Sequence, residues 1–329
     1  MNLSTSALSN LHNIRVLVIG DVMLDQYVFG SAIKLSNEAP VPIISKSKVE
    51  NRLGGVGNVV NNLAALGVHV ELCGYVGKDS DGDFIKQLFK CSNIGTTCLW
   101  SAPSTTTKFR VIANNQQIVR IDNDSICDAS EDLIKTTVNM IKSVDGVIIS
   151  DYNKGIVTRD MATQVIEEAI KLKIPVFVDP KKKNFHVYSK CTVITPNKSE
   201  AEIALGMELD EDNYKMACER ILYESDCGAV LITLGEHGMV LYEKGYDELF
   251  CIPAIAKDVR DVTGAGDTVI AVLAACKIAG NDLRTSAAIA NIAASIAVSK
   301  LGTSIVTMEE LMSTMEMMRR RNYRPYILS

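Results

Sequence analysis

Short apolar runs recur along this chain, each closed by a small or polar residue. Residues 14–19 end at Gly20-Asp21, 147–149 at Ser150-Asp151, and 175–178 at Asp179. Residues 192–195 lead into Pro196-Asn197, 229–233 into Leu234-Gly235, and 68–76 have the same character. These runs are short and rich in valine and isoleucine, which predicts buried strands. Segments with helical period lie between them. Helices are expected from Asp79-Ser80-Asp81 through Phe89, from Ser130 to about Ile141, and from Thr158 to about Leu172. Others are expected over 199–205 and around 212–224. The first three open on a residue able to cap the free amides of a first turn. Repeated strand and helix with short loops predicts a parallel sheet covered on both faces.

Two regions break the alternation. Residues 27–30 with 40–49, and 105–113 with 117–122, lack helical period and read as exposed or edge strands, prolines standing at the start of the 40–49 run. They predict a small sheet flanking the main fold, as a lid or a dimer face, with Lys108, Arg110 or Arg120 offered to a site. Residues 1–13 read as a loose tail, and 14–329 as one domain with lid strands inserted at about 27–50 and 104–122. The last third is helical. One helix ends near Gly280, one spans 286–300 with Gly302 as its terminator, and a Met-rich one begins at the capping box Thr307-Met308-Glu309-Glu310.

Composition narrows the classes. A formal net charge of −5 leaves no global case for nucleic acid. No apolar run reaches the roughly 18 residues of a membrane span, Asp267 and Lys277 breaking the best candidate, so no membrane partner is expected. The 9 cysteines are odd in number, without C-x-x-C spacing, and the expectation is a reducing cytoplasm. The 4 histidines show no zinc spacing.

The chemistry centres on Asp261-Val262-Thr263-Gly264-Ala265-Gly266-Asp267, which runs into an apolar helical segment. Glycines there allow close backbone approach, and the free amides and dipole of a helix start favour an anion. Asp267 at that end can accept a proton from a substrate hydroxyl. Anion hole plus base is what phosphoryl transfer to an alcohol needs. By itself the pattern also describes an ordinary capping turn. A second glycine-rich helix start, Gly54-Gly55-Val56-Gly57-Asn58, is equally compatible with tight packing. Polar residues follow the other strands, at the edge where open α/β sheets bind ligands: Asp21 and Asp25, Asp151 with Lys154, Asp179 with Lys181, and Asn197 with Glu200. The turn Thr233-Leu234-Gly235-Glu236-His237-Gly238 reads as a hairpin lying along a nucleotide. There is neither a Gly-x-x-x-x-Gly-Lys-Ser/Thr loop nor a Gly-x-Gly-x-x-Gly after the first strand.

In order and separation, Gly54-Gly55-x-x-Asn58, Asn197-x-x-Glu200 and Asp261-x-Thr263-Gly264-Ala265-Gly266-Asp267 resemble the motifs of the ribokinase-like (PfkB) carbohydrate kinases over about residues 14–305. Within that family the chain resembles the kinases that act on D-glycero-β-D-manno-heptose 7-phosphate in ADP-heptose synthesis. The likeness is carried by strings such as Gly20-Asp21-Val22-Met23-Leu24-Asp25, Ser150-Asp151-Tyr152-x-Lys154-Gly155 and Thr195-Pro196-Asn197-Lys198-Ser199-Glu200.

The resemblance implies a three-layer α/β/α fold, a mostly parallel doubly wound sheet and a small β-sheet lid. It implies ATP-dependent phosphorylation at the anomeric hydroxyl, with Asp267 as base and the amides of Gly264, Ala265 and Gly266 as anion hole. ATP and Mg²⁺ fall to Asn197, Lys198, Ser199, Glu200, Thr233, Gly235, Glu236, Gly238 and Asn291, with no direct protein ligand to the metal assigned. The sugar phosphate falls to Asp21, Asp25, Gly54, Gly55, Asn58, Arg110, Lys154 and Lys181, and a monovalent cation, K⁺, to Asp261. It further implies a homodimer through the lid and a separate nucleotidyltransferase completing the pathway. Another sugar substrate, or a non-catalytic sugar- or nucleotide-binding module, are the alternatives.

Overall fold

The computed structural model describes residues 5–92, 94–114, 116–256, 258–321 and 323–328. The chain enters the core through β1 (Arg15–Gly20) and turns at Asp21 into the long hairpin β2 (Val22–Leu35) and β3 (Pro42–Gly55). It returns through β4 (His69–Gly77) and β5 (Gly95–Ala102), leaves again for β6 (Thr106–Ala113) and β7 (Gln116–Asn123), and comes back at β8 (Gly146–Ser150). Then follow β9 (Val176–Asp179), β10 (Val193–Ile194), β11 (Ala229–Thr233), β12 (Met239–Glu243), β13 (Leu249–Ile252) and β14 (Tyr326–Leu328).

Among the described residues the main sheet runs β14-β13-β12-β11-β10-β9-β8-β1-β4-β5. It is parallel from β11 to β5 and antiparallel beyond β11. Apolar residues on its two faces pack into two separate clusters under the helices, giving the expected α/β/α layers. The lid is a separate sheet of order β3-β2-β6-β7. Because β2 and β3 pair from Val22↔Gly55 outward, the lid grows directly from the carboxyl end of β1 and reaches deeper than the predicted strands.

Caps set the helix starts. The side chains of Asp79, Ser130 and Thr158 each accept from an amide of the first turn. The 286–300 expectation is corrected. The helix is Leu283–Ala297, because Asp282 caps it three residues earlier by accepting from Thr285 N, and the chain has left the helix before Gly302. The tail is corrected too. Residues 5–13 form two 3-10 turns, and Leu8 and Leu11 are buried against the core; residues 1–4 lie outside the described residues. Apolar side chains at those two positions, not local propensity, hold this segment down. The β14 strand, absent from the sequence expectation, extends the sheet edge by pairing with β13. Among the described residues, no helix is long and apolar enough to cross a membrane.

Docking of the N-terminal segment is testable. Leu11→Ala removes a fully buried side chain, and the expected loss in urea or thermal melts is about 2–4 kcal/mol. An unchanged midpoint would mean that the segment adds nothing to stability.

Candidate active site

The carboxyl ends of the central strands deliver the polar residues to one edge. β1 delivers Asp21, β8 Asp151 and Tyr152, β9 Asp179, β10 Thr195 and then Asn197, and β11 Thr233. Against this edge lies the start of the helix Ala265–Ile278. Gly264 caps it with φ +80, a left-handed conformation that favours glycine, and a Cβ there would stand 2.5 Å from Nδ2 of Asn58. Among the described residues, the amides of Gly264, Gly266 and Asp267 make no backbone hydrogen bond, whereas Ala265 donates to Val262 O at 3.2 Å. The anion-hole expectation therefore narrows to Gly264, Gly266 and Asp267, since the Ala265 amide is spent closing the turn. The side of Gly266 where a Cβ would stand is open space.

Asp267 is buried, 4% exposed, and both its oxygens are held. Asn58 donates to Oδ2 at 2.9 Å, and the Tyr152 hydroxyl donates to Oδ1. Burial pushes the carboxyl up to about 6, against the two hydrogen bonds, which favour the ionised form. A carboxylate with that value is ionised at neutral pH and suited to take a proton. Asn58 also donates to Gly264 O at 3.3 Å, and its own carbonyl and side-chain oxygens accept from Asn62. The glycine-rich start of the helix Val56–Ala65 thus orients the base.

Two clefts meet at this point. The smaller, of about 180 Å³, is lined by Asp267, Tyr152, Asp179, Lys181, Asn197 and Glu200. The larger, of about 650 Å³, is lined by Lys198, Gly235, Glu236, Gly238 and Asn291 among others, a volume within the range of small-molecule sites. Thr233, Gly266 and Val269 line both. In the smaller cleft Asn197 and Glu200 form a capping box, and Glu200 Oε1 accepts from Lys181 Nζ at 2.8 Å. Burial, then the Glu200 and Asp267 carboxylates, push the Asp179 carboxyl well above the usual range.

The lid approaches this edge where Lys108 lies over the Tyr152 ring. Asp25 is buried and paired with Arg110 Nη1 at 2.7 Å, and Arg110 lies over the Tyr27 ring. A Cβ on Gly54 would meet Asp25 Oδ2 at 2.5 Å, so Gly54 seats the carboxylate, while Gly55, with φ +54, packs its backbone against Asp21 O and Met23. Arg52 stacks on the other part of the same cluster, over Tyr27 at 5.2 Å, and donates to the carbonyls of Leu301 and Thr303. The Lys108 ammonium lies 5.6 Å from the centre of the Tyr152 ring.

Three expected ligands, Asp21, Lys154 and Ser199, stand elsewhere, and Asp261 is engaged with the backbone beside the turn. Asp21 accepts from the amides of Tyr152, Lys154 and Ile156, so it braces the loop carrying Tyr152 instead of facing the cleft. Lys154 is paired with Asp124 at 2.5 Å and lines a separate recess beside Asp21. Asp261 accepts from the amides of Thr263 and Gly302 and ties the anion-hole turn to the 301–303 loop. Ser199 is exposed on its helix and lines neither cleft. Lys181 lines the smaller cleft, paired with Glu200. Tyr152 and Asp179 were not among the assigned ligands. Their signal was position, one at the end of each of two neighbouring parallel strands.

A model of "pfkB family carbohydrate kinase" matches residues 13–310. The chain belongs to the pfkB family of carbohydrate kinases. It is 41% identical to the bifunctional protein HldE of Nitratiruptor sp., over 90% of this chain and 64% of that protein. It is 42% identical to HldE of Geobacter sulfurreducens, over 92% and 63%. It therefore spans a little under two thirds of these relatives. Among solved structures, Arabidopsis thaliana ribokinase complexed with ribose and ATP superposes with a TM-score of 0.75 at 20% identity, over 92% of this chain and 99% of that one. Phosphofructokinase-2 from Escherichia coli in complex with potassium gives 0.77 at 17%, over 93% and 100%. The two structures share the ribokinase-like fold with this pfkB kinase.

The base predicts a pH profile. kcat/KM should fall about tenfold per pH unit below about 6. Tyr152→Phe removes a hydrogen bond to the ionised form, so the acidic limb should move to higher pH. A limb that stays in place would show that Tyr152 does not tune the base.

Proposed function

We propose that this chain transfers the γ-phosphoryl group of ATP to the anomeric hydroxyl of D-glycero-β-D-manno-heptose 7-phosphate, giving heptose 1,7-bisphosphate for ADP-heptose synthesis. The observation that carries the substrate is identity of 39–42% over 90–96% of this chain with proteins named HldE. The pfkB match lies within the shared part, so the kinase activity is the one assigned to it. A nucleotidyltransferase for the next step is proposed as a separate activity, and the location as cytoplasmic.

In this reading the adenosine lies in the larger cleft, between the 235–238 turn and Asn291, and the phosphates run past Gly266. Asp267 takes the proton of the sugar hydroxyl as its oxygen attacks the γ-phosphorus in line and the bond to the leaving ADP oxygen breaks. The amides of Gly264, Gly266 and Asp267 hold the charge on the moving group. Mg²⁺, when bound with ATP, neutralises phosphate charge. Asp179 and Glu200 fit it, since their mutual repulsion beside Asp267 is what a cation relieves, and water-mediated contact suits an ion that keeps its hydration shell. For K⁺, Asp261 accepts one amide on each carboxylate oxygen, and the lone pairs that remain are the donors proposed for the cation.

The homodimer is proposed through the solvent face of the lid. Ile33, Leu35, Val41, Ile43 and Val49 are exposed there, a patch that a second copy would cover.

The test is ADP release from Mg-ATP with the heptose 7-phosphate beside fructose 6-phosphate, fructose 1-phosphate and ribose. Turnover is expected with the heptose phosphate and should drop by roughly 10²–10⁴-fold in Asp267→Asn. Preference for another sugar would sink the substrate but keep the kinase. Undiminished turnover in the variant would sink the base. Glu200→Gln is expected to raise the Mg²⁺ concentration needed for half-maximal rate, and an unchanged requirement would remove Glu200 from the metal's surroundings.

A further inference from the structure

The cations around the cleft differ in what they already hold. Arg110 is bonded to Asp25, Lys181 to Glu200, Lys154 to Asp124 and Lys182 to Asp151. Arg52 is bonded to Glu50 and to loop carbonyls. Among the described residues, Lys108 makes no ion pair and no side-chain hydrogen bond. The two carboxylates beside it in the sheet register, Asp25 on β2 and Asp122 on β7, are taken by Arg110 and Arg120. Lys108 is half-buried on the lid, and the desolvation of that position pulls its ammonium below the ordinary range despite the field of Asp25.

Its place matches the far end of a bound sugar. The ring of Tyr152 separates Lys108 from Asp267, with the ammonium over the ring and the hydroxyl on the base. A sugar whose reacting hydroxyl meets Asp267 crosses that ring and brings its other end under the lid. Asp179 and Asp267 line the cleft beside that ring, and Asp25 stands next to Lys108 on the lid, so an anionic sugar needs a positive charge that is not already neutralised. A half-buried, unpaired ammonium forms a strong charge-assisted bond when an anion arrives.

We propose that Lys108, and not Arg110, Lys154 or Lys181, receives the phosphate of the sugar substrate and sets the preference for a phosphorylated over an unphosphorylated sugar. The inference rests on the reading of the substrate as a sugar phosphate.

Steady-state kinetics of wild type, Lys108→Met, Lys108→Gln and Lys108→Arg, with the heptose 7-phosphate and with the unphosphorylated heptose, test it. Melting curves with and without ATP check that each variant is folded. Lys108→Met and Lys108→Gln should raise KM for the phosphorylated sugar roughly 10- to 100-fold. KM for ATP and turnover of the unphosphorylated heptose should change far less, so that the preference collapses, and Lys108→Arg should keep most of it. A variant without the charge that keeps the wild-type preference would overturn the inference and leave the substrate reading intact. So would an equal loss of kcat with both sugars, which would place Lys108 at the base. A wild type that prefers the unphosphorylated sugar would overturn both.

Discussion

The hydrogen bonds from Asn58 and Tyr152 to Asp267 join three otherwise independent parts of this molecule. Asn58 stands at the first helix after the lid hairpin, Tyr152 at the end of a central strand, and Asp267 at the start of the helix that faces them. A buried carboxylate without donors would neutralise. With two donors it stays near a pKa of about 6, so it is ionised at neutral pH, as the proposed proton transfer requires. The glycines around it follow from this arrangement. Gly264 makes room for Asn58, and Gly54 makes room for the Asp25 carboxylate next to it.

A second set of contacts ties the lid to that centre. Arg52 reaches from β3 to the 301–303 loop, Asp261 holds the same loop through Gly302, and Asp261 and Thr263 shape the turn carrying the anion hole. Lid, loop and turn form one connected unit, so the lid strands are part of the catalytic edge as much as a cover. This explains why two residues expected to touch ligands, Asp21 and Asp261, have their carboxylate oxygens on backbone amides. They place the Tyr152 loop and the glycine-rich 261–267 turn, and Tyr152, Gly264 and Gly266 line the cleft.

The layers, the parallel centre of the sheet and the two lid insertions were legible in the sequence, because apolar strand runs, caps and helical period are local signals. The short motifs that carry Asp267, Asn58 and the Asn197–Glu200 pair were legible too, since their order along the chain is distinctive, and the fold brings Asn58 onto Asp267. The β14 edge strand was not legible, since three residues without a turn signal become a strand only by pairing with β13. The docked N-terminal segment escaped for the same reason, its leucines being read as a tail until a core was there to receive them.

The sequence by itself determined the family and the fold class, because each depends on residue types at fixed spacing along the chain. Only the tertiary structure decided which charges are available. Lys154, Lys181 and Arg110 look alike as basic residues near strand ends or lid strands, yet each is paired to a carboxylate from a segment distant along the chain. Pairing across such distances leaves no mark in local spacing, so the unpaired Lys108 and the tyrosine beneath it emerge only when the lid is folded over the strand ends.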